Sequence, residues 1–173
     1  MINSFIGEYG RYKAFGVKAI EQVPDHALNQ APGTDNNSIA MIVRHISGNF
    51  ISRFTDFLNS DGEKPFRDRD AEFDSVEYTR QQVEEMWARG WEVVEGQLAA
   101  LGDGDMEKLV YIRGKPLTVH EALSRSLAHL SYHVGQIVLL ARSHNQANWK
   151  WITIPKGKSK DYNQNPTHEK MPG

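Results

Sequence analysis

Ala128-His129-Leu130-Ser131-Tyr132-His133-Val134-Gly135-Gln136 lies inside a long run whose apolar residues recur at helical spacing. His129 and His133 stand at i and i+4. On an α-helix that step turns the side chain by about 40° and raises it by about 6 Å, so both imidazoles leave one face. They border the apolar stripe of Leu123, Leu127, Leu130, Val134 and Val138 and are expected to point inward. Two readings follow. The rings either hydrogen-bond across helices or hold one metal ion between them. A third ligand on another helix would favour the ion.

The chain has 173 residues, a net charge of −2 and no cysteine. That length suits one domain over 1–173, with a full core and no need of staples. The charge exerts no global pull towards nucleic acid or an anionic membrane, and neither is expected as a partner. Disulfides, thiolate nucleophiles and cysteine-ligated zinc are excluded. No apolar run approaches the roughly 18 residues of a membrane span. Met1-Ile2-Asn3-Ser4-Phe5, with Glu8 close behind, lacks a basic-then-apolar signal pattern, so a cytoplasmic location is expected.

Outward from the histidine pair, four amphipathic helices emerge. Ile2, Phe5, Ile6, Tyr9, Tyr12, Gly16, Ile20 and Val23 mark the first, stopped by Pro24. A Pro/Gly/Asn/Asp-rich loop to Asn37 follows, in which His26 is read as solvated. The second starts at an Asn37 or Ser38 cap, carries Ile39, Ile42, Val43, Ile46, Phe50, Phe54 and Phe57, and ends around 59–62. The third is expected after Asp74 or Ser75, with Glu77 in its first turn and Val76, Val83, Trp87, Val94, Leu98 and Leu101 as its stripe. Gly102-Asp103-Gly104 closes it. Leu109–Ile112 and the turn after it suggest one small hairpin. Thr118-Val119-His120-Glu121 is a capping box that opens the fourth helix, which runs to about Ser143 or His144.

Two irregular segments remain. The charged run 61–70 reads first as a solvated connection, with a functional loop as the alternative, in which Arg53, Arg67 and Arg69 grip an anionic substrate or partner. From about 146 to 173 periodicity is lost, and the expectation is an irregular tail packing Trp149 and Trp151 on the helices. The lysines of the 149–160 stretch form too short a patch to indicate nucleic acid.

Four amphipathic helices with mixed connections predict an all-α four-helix bundle. His45 lies at the edge of the second helix's stripe, where a lone histidine is more often a core or boundary residue than a ligand. His120 faces away from the pair, and His144 sits about 16 Å up the helix from His133. His45 is therefore the helical histidine left to complete a three-histidine site with His129 and His133, a site with open coordination positions. Asn49, one turn beyond His45, and Gln136, close in angle to both His129 and His133, are candidates to orient a bound water or substrate. Their ordinary role would be helix–helix hydrogen bonding.

His45 together with Leu127-Ala128-His129-Leu130-Ser131-Tyr132-His133-Val134-Gly135-Gln136-Ile137 resembles the DinB/YfiT-like metalloenzyme superfamily. Arg44-His45-Ile46-Ser47-Gly48-Asn49, Arg53-Phe54-Thr55-Asp56-Phe57-Leu58, Asp61-Gly62-Glu63-Lys64-Pro65 and Trp151-Ile152-Thr153-Ile154-Pro155-Lys156-Gly157 extend the likeness to a subfamily of uncharacterised bacterial proteins. The resemblance implies a four-helix bundle that often forms homodimers, with His45, His129 and His133 at the metal-ligand positions. It also implies relatives that join low-molecular-weight thiols to electrophiles, and a thiol-dependent isomerase.

Three functions follow from these readings. The first is a metal-dependent transferase that activates a small thiol by coordination, supplying the nucleophile a cysteine-free chain lacks. The second is a non-catalytic bundle with a structural or sensory metal. The third is a hydrolase using a metal-bound water. A closed structural site would need a fourth protein ligand; Asp56 lies about 16 Å along the helix from His45, too far to serve. Zinc or nickel heads the divalent ions that suit three imidazoles, with iron and copper also compatible.

Overall fold

A computed structural model describes residues 1–166. Five helices and one hairpin follow one another: α1 (Ile2–Ile20), α2 (Ile39–Phe54), α3 (Arg80–Ala100), β1 (Leu109–Ile112), β2 (Lys115–Thr118), α4 (Val119–His144) and α5 (Ser159–Gln164). Short 3-10 turns punctuate the connections, one of them at Ala71–Phe73. No helix among the described residues is long and apolar enough to cross a membrane.

The helix starts are written in capping chemistry. Ser38, Thr79 and Thr118 each accept a hydrogen bond from the backbone N–H three residues on, relieving donors the first turn leaves unpaired. At Thr118 the Glu121 carboxylate in turn accepts from the Thr118 N–H at 2.8 Å, the reciprocal box expected from the sequence. The third helix departs from expectation. It begins at Arg80, not after Ser75, because Thr79 with Gln82 makes the complete box. Val76, placed in its stripe by spacing, is 44% exposed on an extended lead-in. The second helix is also shorter than its stripe suggests. Thr55 leaves helical geometry and Asp56 takes φ 50°, so the chain turns before Phe57.

Contacts pair α2 with α3 and α1 with α4, and α2 also meets α4. The α2–α3 approach is close at Gly90, where a Cβ would lie 2.9 Å from Cα of Ser47. Tyr9, Phe50, Phe54 and Trp91 bring aromatic rings from α1, α2 and α3 into one cluster, mostly edge to face. Ring pairs of this kind add about 0.5–1.5 kcal/mol each beyond the area they bury. The core thus fixes α2 against α3 and α4, the geometry on which the histidines depend.

The hairpin turns at Arg113 and Gly114, with φ 56° and 71°. Positive φ at both central residues is the geometry of a two-residue type I′ hairpin. The Asp61 carboxylate accepts the N–H groups of Arg113, Gly114 and Glu63 at 2.9, 2.7 and 2.7 Å, which ties this turn to the 61–70 loop. That loop is therefore not simply solvated. Gly62 and Lys64 are buried, and Lys64 Nζ donates to Ser60 Oγ and the Asp61 carbonyl.

The tail is less irregular than expected, since α5 forms within it. Trp149 packs partly buried against the core, as the sequence suggested. Trp151 does not: it is 43% exposed beneath the Arg142 guanidinium, and Ile152 takes the buried place. Residues 167–173 of the expected tail lie outside the described residues.

Candidate metal centre

His45 projects from the middle of α2, and His129 and His133 from successive turns of α4. The helical registers bring the three rings together. Nε2 of His129 lies 3.1 Å from Nε2 of His45 and 3.1 Å from Nε2 of His133. Among the described residues these three form a group whose ligand atoms all fall within 4.8 Å of one another. His45 and His133 are buried, and His129 is half-buried.

The outer nitrogens decide what the inner ones can do. Nδ1 of His45 stands 2.8 Å from Oε2 of Glu72. Burial alone would raise the Glu72 pKa, but the hydrogen bonds and charges of Arg67 and His45 outweigh it and hold the carboxyl below its usual range. An ionised carboxylate only accepts, so Nδ1 of His45 carries a proton. In neutral His45 the Nε2 is then a bare lone pair. Nδ1 of His133 faces Oε1 of Gln136 at 2.8 Å, and when it donates to that oxygen its Nε2 is a lone pair as well. His129 therefore has at most one Nε2 proton to offer two lone pairs. A hydrogen-bonded trio cannot satisfy all three atoms, whereas one cation would.

Two of the separations suit that cation: Nε2 of His129 lies 3.1 Å from each of its neighbours, and imidazole nitrogens about 2.0–2.1 Å from a shared ion sit roughly 2.8–3.4 Å apart in octahedral or tetrahedral arrangements. The protonation states suit it as well. Burial pushes the His129 pKa down to about 3, with His133, His45, Arg67 and Arg53 adding repulsion. Burial also lowers that of His133, against the opposing Gln136 bond. His129 and His133 are thus neutral at neutral pH, as ligation requires.

Phe73 lies beside the His45 ring, with centroids 4.8 Å apart. The 3-10 turn at Ala71–Phe73 thus delivers both Phe73 and Glu72 to His45. Gly48, one turn along α2, leaves the space the Glu72 carboxylate fills. Arg67 grips that carboxylate through Nε and Nη2 at 2.8 and 2.9 Å, with its own side chain only 3% exposed. A cavity of about 160 Å³ opens beside the rings, walled by His45, His129, Asn49, Phe54, Phe57 and several arginines.

A family model described as a protein of unknown function, DUF1572, matches residues 1–158. The chain belongs to the DUF1572 family. The match spans α1 to α4, the hairpin and every residue of the histidine cluster. Comparison with curated proteins gave no match, and comparison with solved structures gave none either.

In this DUF1572 chain the residues singled out from sequence fall into clear groups. His45, His129 and His133 come together. Asn49 lines the cavity, while Gln136 is engaged with His133 on its own helix instead of a neighbouring one. His120 packs against Phe5 at 5.8 Å, and His26 is exposed. Glu72 went unnoticed in the sequence. Its signal is an acid beside an aromatic within a charged loop, which becomes meaningful only when the loop folds back over α2. Arg67, a grip for an anionic substrate or partner only in the alternative reading of the charged run, has Glu72 as its carboxylate partner.

Proposed function

We propose that this DUF1572 chain is a metal-dependent enzyme on a DinB-like four-helix bundle built from α1 to α4. His45, His129 and His133 hold a divalent ion, zinc or nickel before iron or copper, and the reaction joins a small-molecule thiol to an electrophile. The observation that carries this reading is the convergence of three Nε2 atoms whose rings are held from outside by Glu72 and Gln136, with His45 and His129 at the wall of a cavity. A divalent ion supplies Lewis acidity, lowering the pKa of a thiol or water in its coordination sphere.

The chain's own residues do the rest. Glu72 and Gln136 orient the His45 and His133 rings and keep their lone pairs directed inward. Both Glu72 oxygens are taken up by Arg67 and His45, so this acid is not free to close the coordination sphere. Three protein ligands with open positions are the pattern of catalytic rather than structural sites. Phe54 and Phe57 give the cavity an apolar wall, and Asn49 offers an amide to orient what enters. No cysteine is present, so a thiol nucleophile has to come from the substrate. The sequence resemblance supports a homodimer acting on a small molecule, and the cytoplasm is its proposed location.

The test is a conjugation assay with several low-molecular-weight thiols and an electrophile such as monohalobimane. Metal-loaded protein should accelerate the reaction, and metal-free protein and His133→Ala should not. Equal rates with all three across the panel would leave a non-catalytic metal-binding module as the better description.

A further inference from the structure

The cavity beside the histidines is lined by five arginines and no carboxylate. Arg53 comes from α2, Arg67 and Arg69 from the loop after it, Arg113 from the hairpin turn and Arg125 from α4. Guanidinium groups from separate elements repel one another when gathered in one place, and two acids relieve only part of this. Glu63 pairs with Arg53 and Arg113, and Glu72 pairs with Arg67. Among the described residues Arg125 and Arg69 form no ion pair, and Arg69 lies over the Phe73 ring at 5.6 Å. Burial pushes the Arg53 pKa down, and Arg67 and Arg113 add repulsion that Glu63 opposes. A divalent ion on the histidines would raise the positive charge further. A cavity so lined is short of an anion.

We propose that this cavity binds a small molecule through an oxyanion group, carboxylate or phosphate, gripped by Arg69 and Arg125, with its other end directed at Nε2 of His45 and His129. The role of that other end rests on the metal-enzyme reading; the anion grip does not. The size is bounded by the walls. A volume of about 160 Å³ holds about five waters, and so encloses a part of the occupant of about six non-hydrogen atoms. Phe54, Phe57, Ile112 and Ala122 line the same space, which suits a short apolar body behind the charged head. Guanidinium forks match the oxygens of carboxylate and phosphate in pairs, giving orientation along with attraction. The ligand is therefore a compact monoacid or diacid, or a phosphate ester of similar size.

Isothermal titration calorimetry on the whole chain at low ionic strength, with and without added zinc, tests this. The probes are glutarate against glutaramide and phenyl phosphate against phenol. At least one anion should bind about tenfold or more tightly than its neutral partner, and the tighter anion identifies the group as carboxylate or phosphate. The double variant Arg69→Ala/Arg125→Ala should lose about tenfold of that affinity, while Arg142→Ala, over Trp151 and away from the cavity, should lose none. Both arginines are exposed, so the double variant should keep its helical circular dichroism. Anions binding no better than their neutral partners would overturn the proposal, as would a folded double variant that binds them unchanged. Because the measurement is made without zinc as well, failure of the histidines to bind metal would leave a positive result standing.

Discussion

The Glu72 carboxylate accepts a hydrogen bond from Nδ1 of His45 at 2.8 Å while Arg67 holds it from the other side. This relay reaches from a loop to the middle of α2 and fixes which His45 nitrogen faces the other two rings. Carboxylate partners of this kind orient a metal-binding imidazole and raise its basicity.

Glu72→Gln should therefore weaken metal binding about 10–100-fold while leaving all three histidines in place. Competition with a chromophoric chelator reads the affinity. An unchanged affinity would mean that the carboxylate does not tune the site.

Glu72→Ala should do more, because it strips the Arg67 side chain, only 3% exposed, of its acidic partner. Breaking a buried pair from one side costs about 3–5 kcal/mol. Urea unfolding of metal-free protein should show that loss, and a smaller one for Glu72→Gln, which still accepts hydrogen bonds.

Gly48→Ala reaches the same relay through the backbone of α2. A methyl there overlaps the Glu72 carboxylate, which must move while Arg67 restrains it. Metal affinity should fall with the helix intact, as measured by the same chelator competition and by circular dichroism. Wild-type affinity would show that the carboxylate has room to shift.

The pH dependence of the metal-free protein has a definite sign. His129 has its pKa depressed to about 3 in the fold, against about 6.5 in an unfolded chain. Between those values the unfolded chain takes up a proton that the folded one refuses, so this contribution to stability is intact above about 6.5 and declines as pH falls towards 3. The lowered His133 pKa acts in the same direction. The melting temperature without metal should drop between pH 7 and 5, and His129→Ala should flatten the drop.

The histidine trio was legible because helical periodicity is a strong signal. His129 and His133 share a face by spacing alone, and His45 falls on the edge of a stripe that has to pack inward. Thr118 and Glu121 announced the start of α4 for the same reason, their pairing being local. The two helix boundaries that moved, at Asp56 and Thr79, turned on single residues: a left-handed φ in one case and a Thr–Gln box in the other. Glu72, Arg113 and Arg125 were hidden because their roles are long-range. Glu72 is 27 positions from His45, and Arg113 reaches Glu63 across 50. Nothing in local spacing indicates that a charged loop, a hairpin turn and a helix face will line one cavity.

Metal content of protein purified without a histidine tag tests the central claim most directly. After equilibrium dialysis against limiting zinc or nickel, the wild type should retain about one ion per chain. His45→Ala, His129→Ala and His133→Ala should each lose it, while His120→Ala and His144→Ala retain it. Full retention by His45→Ala would remove α2 from the site, and a wild type that keeps no ion from either metal would contradict the account.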